Sequence, residues 1–470
     1  MAIKSNTLGT GSLLLLCLGS MIGAGLFALP QNLALTASLP ALLGAWLITF
    51  SGMYALVRVF QTLALRAPHL DSGIYAYARA ALGDYIGFNA AWGYWISIII
   101  GNVGYLIIFC SALNLFFPGI TQGGSLIPLF IGSFLIWGTT ALCLCGINTA
   151  AIVNNLITIV KILPILLFAG FMVKYCKLEM LTQNWFCLDT HLGSLTQQIT
   201  HTMLTTIWVF VGIEGASVMS ERARKREDIG RATVLSFVVM LLLLIAVSVF
   251  PYGVLPRHEL AELAEPSTGA LLNLLIGVKG NVLINLALIV AILGGFLSWM
   301  LLAAEVPQVA ARQHQLFPAY FARFNQRGAP IGAMILSAIL EQLYLFAVYL
   351  LKLSYLNTIL IASAMIVPPY LFSAWFAFNL SRCPQNYRSE PRRVRIKELI
   401  TSIIAILFCV WLCYAAGIYL ALTALFYLLG LPLYLNNRRC LKKKFFTKSE
   451  KFYISILVVI ALGSYAYFLR

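Results

Sequence analysis

Apolar runs of about 20 residues, each long enough to cross a bilayer, recur from one end of this 470-residue chain to the other. We place thirteen of them, at 9–33, 38–58, 85–116, 125–146, 148–173, 198–219, 231–255, 281–311, 330–351, 354–380, 397–415, 417–436 and 452–469. Only Ala415-Ala416-Gly417 parts the eleventh from the twelfth. Charged residues make up 10% of the sequence, where soluble domains carry about 25%. In hydrocarbon every backbone N–H and C=O needs a partner inside the protein, and a helix supplies those partners within one segment. The fold class expected is therefore an all-α polytopic membrane protein.

The formal charge of +16 invites a nucleic-acid reading, but its placement argues against one. With the N-terminus in the cytoplasm, twenty-five Lys and Arg fall in inward-facing loops and six outside. That bias obeys the positive-inside rule, so the basic excess is read as topology and as contact with the lipid bilayer. No nucleic-acid partner is expected. The first span is too long for a cleavable signal peptide and lacks a small-residue cleavage site. The ten cysteines are scattered and mostly intraspan, and Cys143-Leu144-Cys145 does not have metal-ligand spacing. Metal, cofactor and nucleophile motifs are missing, which disfavours a membrane-embedded enzyme. A channel is disfavoured because no repeated filter or charged ring is evident.

Two spans carry a glycine break at mid-depth. The first reads Gly19-Ser20-Met21-Ile22-Gly23-Ala24-Gly25-Leu26-Phe27, and the sixth Trp208-Val209-Phe210-Val211-Gly212-Ile213-Glu214-Gly215-Ala216-Ser217. Unwound backbone survives in a membrane only where it lines a cavity, and paired breaks in two halves point to a transporter's binding site. Spans 1–5 and 6–10 align on that basis as two repeats, residues 1–175 and 198–380. An odd number of spans per repeat gives the halves opposite orientation, hence a 5+5 inverted-repeat transporter fold with 12–13 transmembrane helices and broken helices 1 and 6. Residues 396–470 would form peripheral helices 11–13.

At the first break Gly23, Ala24 and Gly25 let backbone N–H groups approach a ligand, and a half-helix N-terminus there suits a carboxylate. Glu214 is an intramembrane acid between glycines and should face a cavity, to bind a cation, carry a proton or hold a gate. Lys161 is a second intramembrane charge, either a fixed positive group, a proton carrier or a snorkelling side chain. Trp208 and Trp299 lie beside glycine-rich backbone, where an indole face attracts an organic cation. Asn102 follows Gly101 and can bond a polar solute or another helix. Glu341 lies mid-span with no role evident from the sequence. Outside the spans, Glu259, Glu262 and Glu265 share a helical spacing that predicts a short surface helix.

The run Ile22-Gly23-Ala24-Gly25-Leu26-Phe27-Ala28-Leu29-Pro30, together with Trp208 to Ser217, resembles the first and sixth spans of the amino acid–polyamine–organocation superfamily. The resemblance covers spans 1–12 and is closest to the basic amino acid/polyamine antiporters, the arginine/agmatine and arginine/ornithine exchangers. It implies a substrate carboxylate near Ala24 and Gly25, and an α-amino group at carbonyls around Met21, Trp208 and Val211. It further implies Trp299 stacked on a guanidinium, with Ser97, Asn102 and Ser363 near its far end. Glu214 would couple occupancy to gating, and Lys161 would stand in for a sodium ion. Some relatives have Ser where this chain has Ala24, so one side-chain hydrogen bond to the carboxylate is missing. The activity implied is exchange of external arginine for agmatine across a bacterial inner membrane, by a possible homodimer that needs no cofactor. Exchange for ornithine, a lysine/cadaverine pair and proton-coupled uptake remain alternatives.

Overall fold

The computed structural model describes residues 9–68, 70, 73–145, 148–186, 190–213, 226–388 and 390–468, and every regular element among them is helical. The first span is two helices, α1 (Thr10–Met21) and α2 (Ala24–Ala34). There follow α3 (Leu39–Arg66), a short α4 (Ile74–Leu82), α5 (Asp84–Leu113), α6 (Ile127–Leu144), α7 (Asn148–Tyr175) and α8 (Leu178–Phe186). The second half holds α9 (Leu195–Trp208), α10 (Arg226–Ser248), α11 (Arg257–Ala261), α12 (Ser267–Ile276), α13 (Val278–His314), α14 (Ile331–Leu351) and α15 (Tyr355–Arg382). The chain closes with α16 (Arg392–Ala416), α17 (Ile418–Leu429), α18 (Leu431–Cys440) and α19 (Lys448–Phe468).

Among the described residues nine helices are long and apolar enough to span a membrane, or ten if a bent pair within the first span counts as one. That pair turns by 47° between Leu13–Gly19 and Ala24–Ala34. The chain is thus a multi-pass, all-helical membrane protein with a broken first span. The narrow gap between spans eleven and twelve is a true boundary. Gly417 adopts φ +50 there, a conformation glycine takes without a Cβ penalty, and it ends α16. The surface helix expected through Glu259, Glu262 and Glu265 is shorter, since α11 stops at Ala261 with Glu262 as its cap. Pro266 disfavours helical backbone at Glu265, so the acidic run cannot continue as one helix.

Helix ends follow local chemistry. α3 opens after Ser38 with Pro40 in its first turn and closes before Pro68. Ser354 caps α15 by accepting from the Asn357 N–H at 3.1 Å. α5 lies at the centre: 83% of its apolar stretch is buried, against 22% for α6, which faces outward with Phe130 and Phe134 exposed. Around α5 pack α13 and α15, with α7 on the far side of α13.

α16 packs closely on α3 and α15, and its register on α3 is set by Gly52. A Cβ at Gly52 would lie 2.1 Å from Cγ of Phe408. At the end of that seam Arg66 forks onto Glu398 with Nε and Nη2 at 2.6 and 2.9 Å, its guanidinium 4.0 Å from the Tyr387 ring. Overpacking a filled seam costs about 1–3 kcal/mol. Gly52→Val should therefore lower the detergent melting temperature measurably, while Gly138→Val, where nothing lies within 4 Å of the new Cβ, should not. Equal melting of both variants would contradict this packing.

Candidate functional site

α1 stops at Met21 because the chain unwinds for two residues. Ile22 N–H still reaches Leu18 O at 2.8 Å, but Gly23 N–H turns back to Met21 O at 2.9 Å. α2 then starts at Ala24 with Gly23 as an N-cap that offers no side chain. The first N–H groups of a helix have no intrahelical acceptor, and those of α2 begin among buried residues. At the other side of the break, the Nζ of Lys161, itself 1% exposed, donates to the carbonyl of Gly19 in the last turn of α1. A buried ammonium thereby meets the negative end of a half-helix, the placement its charge favours. Of the sequence alternatives for Lys161, snorkelling to an interface does not fit this burial.

In the sixth span the described residues show the helix end alone, up to Ile213. α9 ends at Trp208, after which Phe210, Val211 and Ile213 donate to Ile207, Trp208 and Phe210 at 2.9, 3.1 and 3.1 Å. Gly212 sits at φ +105, which a β-carbon would strain. Along α9, Gln198, Thr202 and Thr206 share one face. Gln198 accepts from Ser38 Oγ at 2.7 Å, and the Thr202 and Thr206 hydroxyls pair with Thr36 and Thr49 at 3.1 and 2.7 Å. This polar seam fixes the rotation of α9 and so the direction of Trp208.

Three aromatic residues converge on the first break. The Trp208 indole is slotted between two glycines: a Cβ on Gly25 would be 3.1 Å from its Nε1, and one on Gly101 would be 2.6 Å from its Cη2. Tyr105 is slotted the same way, its hydroxyl 2.1 Å from a Cβ on Gly23 and its Cε2 3.4 Å from one on Gly295. Trp299, one turn beyond Gly295 on α13, lies beside the Tyr105 hydroxyl. Backbone donors for an anion and aromatic faces for a cation thus meet in one buried place beside a helix interruption. The arrangement suits the holding of a zwitterionic or cationic solute.

Comparison with known proteins agrees with that reading. The family model described as amino acid permease matches residues 8–462. The chain belongs to the amino acid permease family. An arginine/ornithine antiporter of Pseudomonas aeruginosa is 41% identical to this permease, over 98% of the chain and 96% of its own length. An arginine/agmatine antiporter of Chlamydia pneumoniae is 38% identical with the same coverage, and one of Chlamydia felis is 38% identical over 97% of the chain and 95% of its own length.

The residues singled out in the permease sequence fall into three groups. Met21, Gly23, Ala24, Gly25, Trp208, Val211 and Trp299 gather around the two breaks. The Met21 and Trp208 carbonyls each accept one local N–H and keep a second lone pair. Ser97, Ser363 and Asn102 lie on the neighbouring helices α5 and α15 but bond within the protein. Ser97 Oγ donates to Ala362 O at 2.8 Å, Ser363 Oγ to Ile359 O at 2.7 Å, and Asn102 Nδ2 to Glu341 Oε1 at 2.7 Å. Glu214 lies outside the described residues.

Sequence reasoning missed Tyr105 and Tyr355. The glycines at 23 and 295, which abut its ring, carried the signal for the first. Tyr355, buried at the start of α15, adjoins Trp208. Glu341 gained a partner that only folding could reveal, since Asn102 is remote in sequence.

Glu265 sits outside the spans, between α11 and α12, and burial pushes its carboxyl from an ordinary 4.5 up to about 7. The folded protein therefore holds this proton more tightly than the unfolded chain. The stabilisation is complete below the unfolded value and lost as pH rises through about 7. Wild-type melting temperature should fall relative to Glu265→Gln as pH is raised across that window, and parallel curves would contradict the assignment. At the break, Gly23→Ala should reduce solute binding sharply by colliding with the Tyr105 hydroxyl. Tyr105→Phe in the same chain should restore part of it, whereas independent effects of the two changes would contradict the contact.

Proposed function

We propose that this permease is an antiporter that takes up external L-arginine in exchange for intracellular agmatine by alternating access. The observation that carries the reading is the meeting of an uncapped helix N-terminus with Trp208, Tyr105 and Trp299 in one buried place. An amino acid with a cationic side chain presents both charges such a place can hold. Its carboxylate would lie at the first N–H groups of α2, by Ala24 and Gly25. Its α-amino group would take the free lone pairs at Met21, Trp208 and Val211, and its guanidinium would stack on Trp299. Ser97, Asn102 and Ser363 would line the far end. Agmatine lacks the carboxylate and so leaves the α2 donors unused, which allows it to be held less tightly than arginine and displaced by it.

Residues 1–175 and 198–380 would act as two inverted repeats, with 396–470 as an added group. The first, second, sixth and seventh spans would rock against the others about the two breaks. Glu214 would link occupancy to gating. Lys161 would supply a fixed charge at α1 in place of a metal ion, which disfavours sodium coupling. The basic loops support an N-terminus in the cytoplasm of a bacterial inner membrane. The 41% identity to an arginine/ornithine antiporter supports a second reading, exchange for ornithine.

Counterflow into proteoliposomes separates these readings. Agmatine inside should stimulate entry of labelled arginine more than ornithine or lysine does. A greater stimulation by ornithine would select the second reading, and no stimulation by any preload would sink exchange altogether. A desolvated cation–π contact is worth about 2 kcal/mol, so Trp299→Ala should raise the arginine concentration for half-maximal uptake by roughly tenfold or more. Elution from gel filtration should not change; a loss of folded protein equal to the loss of uptake would make Trp299 a packing residue instead.

A further inference from the structure

The last two helices and the chain between them form a basic cleft that solute exchange does not use. It encloses about 610 Å³ and is lined by Leu435, Arg439, Lys444, Phe445, Phe446 and Lys451. Its framework is fixed by residues that point elsewhere. Arg438 grips the Lys444 carbonyl with Nε and Nη2 at 2.8 and 2.6 Å, and the Tyr434 hydroxyl donates to Phe445 O at 3.3 Å. Glu450, 2% exposed, accepts from Thr447 N–H and from Tyr85 N–H, both at 2.7 Å. Asp84 is shared between Arg79 at 2.7 Å and Arg438 at 2.6 Å.

The two carboxylates of this frame, Asp84 and Glu450, are therefore occupied. Arg439, Lys444 and Lys451 make no ion pair among the described residues, and all three are exposed. Half of the cleft wall is apolar, and Phe445 is 42% exposed. From the cleft an outward stripe runs up α19 through Phe452, Ile456 and Val459, which are 70%, 40% and 68% exposed. Their spacing of four and three residues puts them on one helical face. A trio of uncompensated cations on a fixed frame, at the foot of an exposed apolar stripe, matches an anion that carries an acyl chain. A soluble anion would satisfy the cations and leave the aromatic wall and stripe unused.

We propose that this cleft is a headgroup site for an anionic phospholipid, whose phosphate is held by Arg439, Lys444 and Lys451 and whose chain lies along α19. The site bears on transport through its frame. Asn437 Nδ2 donates to the Gln315 carbonyl at 2.9 Å, and Lys443 Nζ to Gln315 Oε1 at 2.7 Å, which ties the frame to the end of α13. Glu450 ties it to the start of α5. These are the helices that carry Trp299 and Tyr105, so a bound headgroup braces the two walls of the solute site from one end.

The test is native mass spectrometry of the purified full chain, titrated with phosphatidylglycerol or phosphatidylcholine in mixed micelles. Wild type should retain one phosphatidylglycerol with at least about tenfold preference. The triple change Arg439→Gln, Lys444→Gln, Lys451→Gln should abolish that preference. Arg392→Gln, Arg393→Gln, Lys397→Gln removes equal charge from the start of α16 and should leave it intact. Both variants alter exposed side chains, and Lys444→Gln alone, with a smaller loss, guards against misfolding of the triple variant. Equal retention of the two lipids, or undiminished phosphatidylglycerol on the first triple variant, would overturn the site. Displacement by millimolar inorganic phosphate would also overturn it, by showing a site for soluble anions. Arginine is not needed for the readout, so its outcome is independent of the exchange assay.

Discussion

A helix that stops and restarts inside a membrane leaves backbone donors and acceptors where water cannot serve them. The gap between Met21 and Ala24 is that constraint here, and most of the surrounding structure answers it. Lys161 takes a carbonyl of the half-helix that ends, and Gly23 folds its own N–H back to Met21. The donors of the half-helix that begins remain available. An unsatisfied group in hydrocarbon costs several kcal/mol, so such donors are tolerated only where they line a cavity. The break is costly to the fold and useful to a permease for the same reason.

Packing around the break is organised by glycine and aromatic pairs. Trp208 and Tyr105 lie against backbone at Gly25, Gly101, Gly23 and Gly295, and at Gly101 and Gly23 a Cβ would collide with the ring. This couples elements that belong to different parts of the fold. A shift of α2 relative to α5 must move the Trp208 indole, and a shift of α9 must do the same through the Gln198–Thr202–Thr206 seam. Under the proposed function, solute contact and helix movement would therefore share the same residues, as alternating access requires of its central site.

Much of this was legible in the sequence, for identifiable reasons. Nine or ten of the thirteen expected spans stand among the described residues, and their positions follow from hydropathy because backbone satisfaction leaves a lipid-exposed chain few choices. The first break was legible because glycines cluster there without a proline to explain them, and Gly417 marked a boundary that hydropathy blurred. What stayed hidden depends on contacts between distant segments. Asn102 reads equally as a solute ligand or an interhelical partner, and only the fold shows Glu341 of α14 accepting its amide. Lys161 has several readings until its partner, a backbone carbonyl that carries no sequence signature, is known. Glu450 looks like an ordinary surface acid, yet it is buried because it caps the start of α5 and orders the loop before α19.

The central claim is that the α2 N-terminus is the seat of a carboxylate. The most direct measurement is the ¹⁵N–¹H spectrum of permease labelled at glycine, titrated with L-arginine and then with agmatine. Arginine should shift the amide of Gly25, because its carboxylate accepts from that end of α2. Saturating agmatine should displace arginine and return the resonance toward its free position. A Gly25 amide that does not respond to arginine, or responds equally to both solutes, would contradict the account.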